Sequence, residues 1–344
     1  MSEVLDDRTA EVWDEARQQH GGQTHKIVDG EFNRVLLVDP SPDCSEASYV
    51  VKIAVDNPEA RAMLDFEARV VQHINRPEAG PSPVVIPELY AHDPDAGYAV
   101  LSFVPGQILQ QAEAYNFSDE DRQAVGQKFG EFVLWCASTI TPEAYDRLEP
   151  PHLPNREQFL RQYAADLRTA DQAGFPTLQH FSMLVLEVYD DYNSGGWIEP
   201  KIIGHDDLRL PNITFGRAED HWDLHGVFDF GITQPSTVAR EMRHAVALGR
   251  PLAHIAIQLY AQRNRQHLPK GDVLLTEDIA TNWAEIQAAT NTIARLQEGN
   301  PIGSVPLRLY KLHPHRNDAD WSELGPHGLP SLDDRVCYLS KTGR

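Results

Sequence analysis

Hydrophobic periodicity changes once along this 344-residue chain, near residue 104, and that change limits the folds open to it. From Lys26 to about Phe103 the apolar residues run as strands. Val35 to Val38 ends at a turn spanning Asp39 to Asp43, and Ser48 to Val55 follows as the next strand. One helix interrupts them, from Pro58 to about Asn75, with Asn57 placed to cap it and Pro58 at its first position. Extended segments at Val84–His92 and Tyr98–Phe103 come next, separated by a turn from Asp93 to Gly97. Val104-Pro105-Gly106 then reads as a hinge. Beyond it the spacing is helical: Ser118 and Asp121 form a capping box, and Phe129, Phe132, Val133, Cys136, Ala137 and Ile140 make one apolar stripe. Further helices are predicted near 155–169, 177–192, 251–264 and 276–297, with short strands at Lys201–Gly204 and Gly226–Phe230 flanking a loop. The tail from about Gly299 reads as irregular. The expected class is α+β: a small antiparallel-sheet lobe over 1–103, a hinge at 104–107, and a larger, mainly helical lobe over 108–344.

Charge narrows the partners. Fifty-one Asp and Glu against 30 Lys and Arg leave a net charge of −21. Such a surface repels phosphate backbones and anionic lipid, so neither a nucleic acid nor a membrane surface is expected as a partner. Cys44, Cys136 and Cys337 are far apart and odd in number, which gives no disulfide framework. No apolar run approaches the ~18 residues of a membrane span. The opening residues carry Glu3, Asp6, Asp7, Glu11, Asp14 and Glu15 against Arg8, the reverse of a signal peptide. A cytoplasmic protein is expected.

The informative residues are polar ones at apolar positions. On helix 58–75 the inward stripe reads Ala60, Met63, Leu64, Glu67, Val70, Val71, Ile74, and a carboxylate in its middle needs a cation. Lys52, on a strand face with Val50 and Ala54, is the cation on offer; the alternative is a snorkelling Lys and a rim Glu that never meet. Asp229 interrupts the apolar run from Gly226 to Ile232, where it either caps backbone amides or meets a cation. The loop from His205 to Asn212 sets Asp206 and Asp207 side by side, with Asn212 five residues after Asp207. This suits a proton acceptor, Asp207, beside a magnesium ligand, Asn212, with Asp229 as the second, charged ligand. His205 is read as a backbone-bonded brace ahead of a catalytic group. His221 with His225, and His313, His315 and His327, lack metal-ligand spacing and read as solvated loop histidines.

His-x-Asp-x4-Asn followed 17 residues later by Asp-Phe-Gly resembles the catalytic and metal motifs of the protein-kinase-like fold. The wording His205-Asp-Asp-Leu-Arg-Leu-Pro-Asn212 and Val227-Phe-Asp-Phe-Gly231 is similar to the aminoglycoside phosphotransferase and choline kinase branch. With Lys52, Glu67 and the segment Ser102-Phe-Val-Pro-Gly106 in order, the resemblance spans roughly residues 26–300. It implies a bilobal fold, with Asp207 accepting the proton of a substrate hydroxyl and Asn212 and Asp229 holding Mg2+. It implies further that Lys52 touches the α and β phosphates of ATP or GTP and is fixed by Glu67. The backbone from Ser102 to Val104 would meet the base, and the turn from Asp29 to Asn33 would cover the phosphates. The chain departs from the family wording at Asp206, where glycine is usual, and at Arg209, where histidine is usual. A second carboxylate beside Asp207 either raises its pKa or points away. The acidic residue many members carry after the metal motif is absent from Ser236 to Arg243, where Glu241 is the stand-in. The expected activity is small-molecule O-phosphotransfer to a cationic acceptor of the aminoglycoside or natural-product type. The alternatives are a choline, amino alcohol, sugar or nucleoside kinase, a nucleotide-sensing pseudokinase, and a protein kinase, the last disfavoured because no Ala-Pro-Glu follows Asp229.

Overall fold

A computed structural model describes residues 7–20, 23–30, 32–39, 48–151, 202–218, 220–281, 283–284 and 287. The helices expected near 155–169 and 177–192, and the tail from about Gly299, lie outside the described residues. The N-terminal part is built on five strands: β1 (Gln23–Asp29), β2 (Asn33–Asp39), β3 (Tyr49–Ala54), β4 (Leu89–Asp93) and β5 (Tyr98–Ser102). They form one antiparallel sheet in the order β1-β2-β3-β5-β4.

Strand alternation assigns the two faces of this sheet. Tyr49, Val51 and Ile53 of β3 join Leu36, Val38, Tyr98 and Val100 beneath helix α1 (Asp7–His20), which contributes Val12, Trp13 and Ala16. This helix was not expected; the acidic run at the start of the chain hides its three buried apolar positions. On the other face Ala54 and Ala99 pack with Ala60 and Leu64 of α2 (Pro58–Ile74). Asn57 caps α2 as expected, accepting from the Glu59 N–H at 2.9 Å. The extended segment predicted at Val84–His92 is a ladder strand only from Leu89. Before that, Val85 leaves the sheet to pair with Gly226, donating to the His225 carbonyl and accepting from the Val227 N–H.

The remainder is mainly helical. It comprises α3 (Gln111–Tyr115), α4 (Asp119–Thr139), α5 (Pro142–Arg147), α6 (Val238–Leu248) and α7 (Arg250–Asn264), with helical residues again from 273 to 281. Two small antiparallel pairs lie among them: β7 (Ile213–Ala218) with β8 (His221–Val227), and β6 (Ile202–Gly204) with β9 (Gln234–Ser236). The predicted capping box forms, with the Ser118 N–H on Asp121 at 2.7 Å and the Asp121 N–H on the Ser118 hydroxyl at 3.1 Å. α4 and α7 approach so closely that a Cβ on Gly126 would lie 2.8 Å from the Leu252 carbonyl, and one on Gly130 2.6 Å from that of Ala256. The strand expected at Gly226–Phe230 ends at Val227 instead, because Asp229 takes a left-handed conformation (φ 69°) and Phe230–Ile232 forms a short 3-10 turn. Among the described residues no helix is long and apolar enough to cross a membrane.

The stretch read as a hinge is docked. Thr214 donates its hydroxyl to the Pro105 carbonyl at 2.8 Å, and Gln107 exchanges two backbone hydrogen bonds with Phe215. Gly106 has φ 120° and lies so near Thr214 that a Cβ would sit 2.7 Å from it. Residues 105–107 are thus bonded to the β7–β8 hairpin.

Candidate active site

β3 and α2 bring together the two residues that broke their patterns. Lys52 donates to both oxygens of Glu67, at 2.7 and 2.9 Å, and to Asp229 at 2.7 Å. Burial opposes the ammonium charge, but Asp229 and Glu67 outweigh it and hold the lysine above its ordinary pKa. Lys52 in turn holds Asp229 below the ordinary carboxylate value, against its burial. Glu67 is raised, first by burial and further by Asp229, because two carboxylates share one cation. The Phe230 N–H also donates to Glu67 at 3.2 Å, so α2 is bonded directly to the Asp229 segment.

Below it, the loop between β6 and β7 presents Asp207. Its Oδ2 accepts from Asn212 Nδ2 at 2.6 Å and from Arg209 Nε at 3.0 Å, and Asn212 also donates to the Asp207 carbonyl. Burial pushes the Asp207 carboxyl up to about 6, Asp229 adds to this, and Arg209, Arg243 and Asn212 oppose it. A carboxylate so placed is ionised at neutral pH and still basic enough to take a proton. His205 is the expected brace. Its Nε2 donates to the Phe228 carbonyl at 3.0 Å, its Nδ1 accepts from the Asp207 N–H at 3.3 Å, and burial lowers it to about 4, so it stays neutral. The Phe228 N–H donates to the Asn212 carbonyl, tying the loop to the Asp229 segment from the other side.

Asp206 points away from Asp207. Its carboxylate turns into the protein, where it accepts from Arg240 Nη2 at 2.5 Å, Arg243 Nη1 at 3.1 Å and Gln234 Nε2. Of the two readings left open by the sequence, the structure has the second. Arg240, Arg243 and Gln234 were not anticipated as part of the site. Their signal was available in α6, whose buried face carries Glu241, Arg243 and His244 among Val238, Met242 and Ala245. Glu241 does not take the place of a nucleotide-side acid: it is buried against Gly204 and bonds the Asp206 N–H at 3.1 Å.

The remaining expected contacts are partly spent. The Ser102 N–H is taken by the Glu88 carbonyl, its hydroxyl by the Glu88 N–H, and the Phe103 N–H by the Ser48 carbonyl. These groups of Ser102 and Phe103 are therefore already used within the N-terminal part. Asn33 opens β2, and its carbonyl accepts from the Gly30 N–H at 2.8 Å, closing the turn; its side-chain Oδ1 is buried without a partner. Asp229, with its side chain 38% exposed, uses Oδ1 on Lys52. Asn212 spends its amide NH2 on Asp207, which leaves Oδ1 as an acceptor. One carboxylate and one amide oxygen are hard donors, and they fit Mg2+ when phosphate oxygens and water complete its shell.

The family model described as "Phosphotransferase enzyme family" matches residues 25–274. No curated protein matches the chain. Among solved structures, the GDP and kanamycin complex of APH(2")-IIia is similar at TM-score 0.65 and 12% identity, over 90% of this chain and 99% of that one. Macrolide 2'-phosphotransferase MphH from Brachybacterium faecium is similar at TM-score 0.57 and 14% identity, over 88% and 98% of the two chains. A Plasmodium vivax ethanolamine kinase is similar at TM-score 0.54 and 14% identity, over 90% of each. At such identities the likeness speaks for the fold, which is protein-kinase-like.

Proposed function

The chain belongs to the phosphotransferase enzyme family and phosphorylates hydroxyl groups, and from that premise we propose that it moves the γ-phosphoryl of ATP or GTP to a small organic acceptor. The observation that carries this is one connected set of side chains: Glu67–Lys52–Asp229 and Arg209–Asp207–Asn212, joined through the Phe228 and Phe230 backbone. In the proposed reaction the acceptor oxygen bonds to the γ-phosphorus, the bond to the β-bridging oxygen breaks, and Asp207 takes the hydroxyl proton. Lys52 meets the α and β phosphates, and Glu67 keeps it in place through two oxygens. Asn212 and Asp229 would hold Mg2+, which neutralises charge on the phosphate oxygens when bound. Ser102 to Val104 would line the base, Asn33 would lie in the turn over the phosphates, and residues 1–103 would form the nucleotide lobe, with 108–344 carrying the acceptor. Retention of Lys52, Glu67, Asp207, Asn212 and Asp229 together argues against a pseudokinase.

For the acceptor we propose an amine-bearing polyol of the aminoglycoside or natural-product type, phosphorylated in the cytoplasm where nucleoside triphosphate is supplied. Neighbouring structures hold kanamycin, streptomycin and gentamicin, and the chain's net charge of −21 favours cations. The likeness to an ethanolamine kinase supports a second reading, an amino alcohol acceptor in metabolism. A nucleotide-turnover panel over antibiotics, amino alcohols, sugars and nucleosides separates the two, with the phosphorylated position located in the product. Asp207→Asn serves as the control. Turnover unaffected by that substitution, or no transfer to any hydroxyl, would overturn the proposal.

A further inference from the structure

Asp206 is the residue where this chain departs most sharply from its family's wording, and every polar group it has is engaged by the segment that follows the Asp229 motif. It is 2% exposed and left-handed, with φ 62°. Its N–H donates to Glu241 Oε2 at 3.1 Å. Its carbonyl accepts from Arg243 Nη2 at 2.5 Å and from His244 Nε2 at 3.4 Å. Its carboxylate is held by Arg240, Arg243 and Gln234. The two arginines are themselves backed: Arg243 Nε donates to Gln287 at 2.9 Å, and the Arg240 guanidinium lies 5.6 Å from the centre of the Trp283 ring.

The arrangement is more than the turn requires. A glycine would adopt φ 62° without a side-chain penalty and without a carboxylate that needs two guanidinium groups to neutralise it. Buried ion pairs of this kind contribute little net stability, because desolvation offsets their attraction. What they give is location. The peptide joining Asp206 to Asp207 is fixed at both ends, its carbonyl by Arg243 and its N–H by His205 Nδ1. Asp207 then has only its side-chain torsions left, and Asn212 and Arg209 restrict those. α6 also approaches closely here, since a Cβ on Gly204 would lie 2.3 Å from Cδ of Glu241.

We infer that Asp206, Arg240 and Arg243 form a clamp that positions the catalytic loop and sets where the Asp207 carboxylate stands. Asp206 and its arginines are positioning residues: they reach the reaction through Asp207. The inference rests on the reading of Asp207 as the proton acceptor, so the experiment separates the two. It measures phosphate release from MgATP and MgGTP, with water as acceptor, for the full chain and for Asp206→Gly, Arg243→Met and Asp207→Asn, alone and combined. Asp206→Gly and Arg243→Met should each lower kcat by about tenfold or more while nucleotide KM and Kd stay within about threefold. In the Asp207→Asn background the same substitutions should cost no more than about twofold, since the group they place is gone. An equal loss of kcat in both backgrounds, or no loss in either, overturns the clamp. Full turnover by Asp207→Asn alone would instead overturn the assignment of the base. If Asp206→Gly does not fold, Arg243→Met decides by the same cycle, because it leaves the Asp206 carboxylate paired with Arg240.

Discussion

Asp207→Asn should stabilise the nucleotide-free, metal-free protein at neutral pH while removing its activity. Asp207 is 6% exposed, and burial is the main reason its carboxyl titrates near 6 in the folded chain against an ordinary value of 3.8. Between those two values the folded chain holds a proton that the unfolded chain has released. Stability therefore falls as pH rises through that window, levels off above about pH 6, and carries no such penalty below 3.8. At 1.36 kcal/mol per pH unit the full penalty is about 3 kcal/mol. Asparagine fills the same space, still accepts from Asn212 and Arg209 through its amide oxygen, and never ionises.

The measurement is a series of paired urea titrations of wild type and Asp207→Asn from pH 4 to pH 8. All other titrating groups are common to both chains, so the difference between them isolates position 207. That difference should be small at pH 4, grow in favour of the variant up to about pH 6, and plateau above. With a urea slope near 3 kcal/mol/M the plateau corresponds to a midpoint shift of about 1 M. Turnover should meanwhile fall by roughly two orders of magnitude or more, as expected for loss of a positioned base. A difference independent of pH, or one that grows as pH falls, would refute the reasoning, because it would mean that Asp207 is better solvated or better paired than its surroundings indicate.

Asp229→Ala should abolish turnover with an unchanged circular dichroism spectrum, because Lys52 keeps both oxygens of Glu67; an active variant in EDTA would remove Asp229 from metal binding. Lys52→Met and Glu67→Gln should give nucleotide-binding losses that are non-additive by about 0.5 kcal/mol or more, as expected for residues in contact. Strict additivity in that calorimetric cycle would mean that the pair seen at 2.7 Å does not persist in solution. For a cationic acceptor, kcat/KM should fall as salt rises from ~0.05 to ~0.5 M while nucleotide KM changes less. A salt-independent acceptor would be neutral.

Much of this site was legible because its residues violate short-range patterns. Lys52 interrupts a period of two, Glu67 a period of 3.6, and each is compelled by burial to find the other. Ser118 with Asp121, and Asn57 with Pro58, are equally local signals, and both caps form. What stayed hidden depends on pairing across long sequence separations. α1 shows only Val12, Trp13 and Ala16 as apolar evidence, and their meaning comes from the sheet they cover. Val85 reads as a strand residue, but it makes an isolated bridge to Gly226, 141 positions away, and does not pair with the neighbouring β5. The Ser102 and Phe103 amides look free in a list of hinge residues, and only the fold shows that Glu88 and Ser48 have used them.

The same distinction changes what the acidic composition says about the acceptor. Asp206, Asp207 and Asp229 together suggest a strongly anionic cleft, but the structure divides them. Asp206 is neutralised by the buried Arg243 and the half-buried Arg240 on the far side of the loop. Asp229 is paired with Lys52, and Asp207 with Arg209, whose side chain is 56% exposed. Each of these three carboxylates therefore meets a cation, Asp229 sharing Lys52 with Glu67. A net charge of −21 acts over the range of a Debye length and can raise the encounter rate of an amine. It cannot place that amine. Placement needs a carboxylate or carbonyl at contact distance, and in the loop from His205 to Asn212 the Asp206 carboxylate and carbonyl and the Asp207 Oδ2 and carbonyl are already engaged. These engaged groups offer an amine little unpaired charge, and Arg209, exposed and bonded to Asp207, adds a cation beside it, so charge steering by the whole chain and selection by this loop are separate effects.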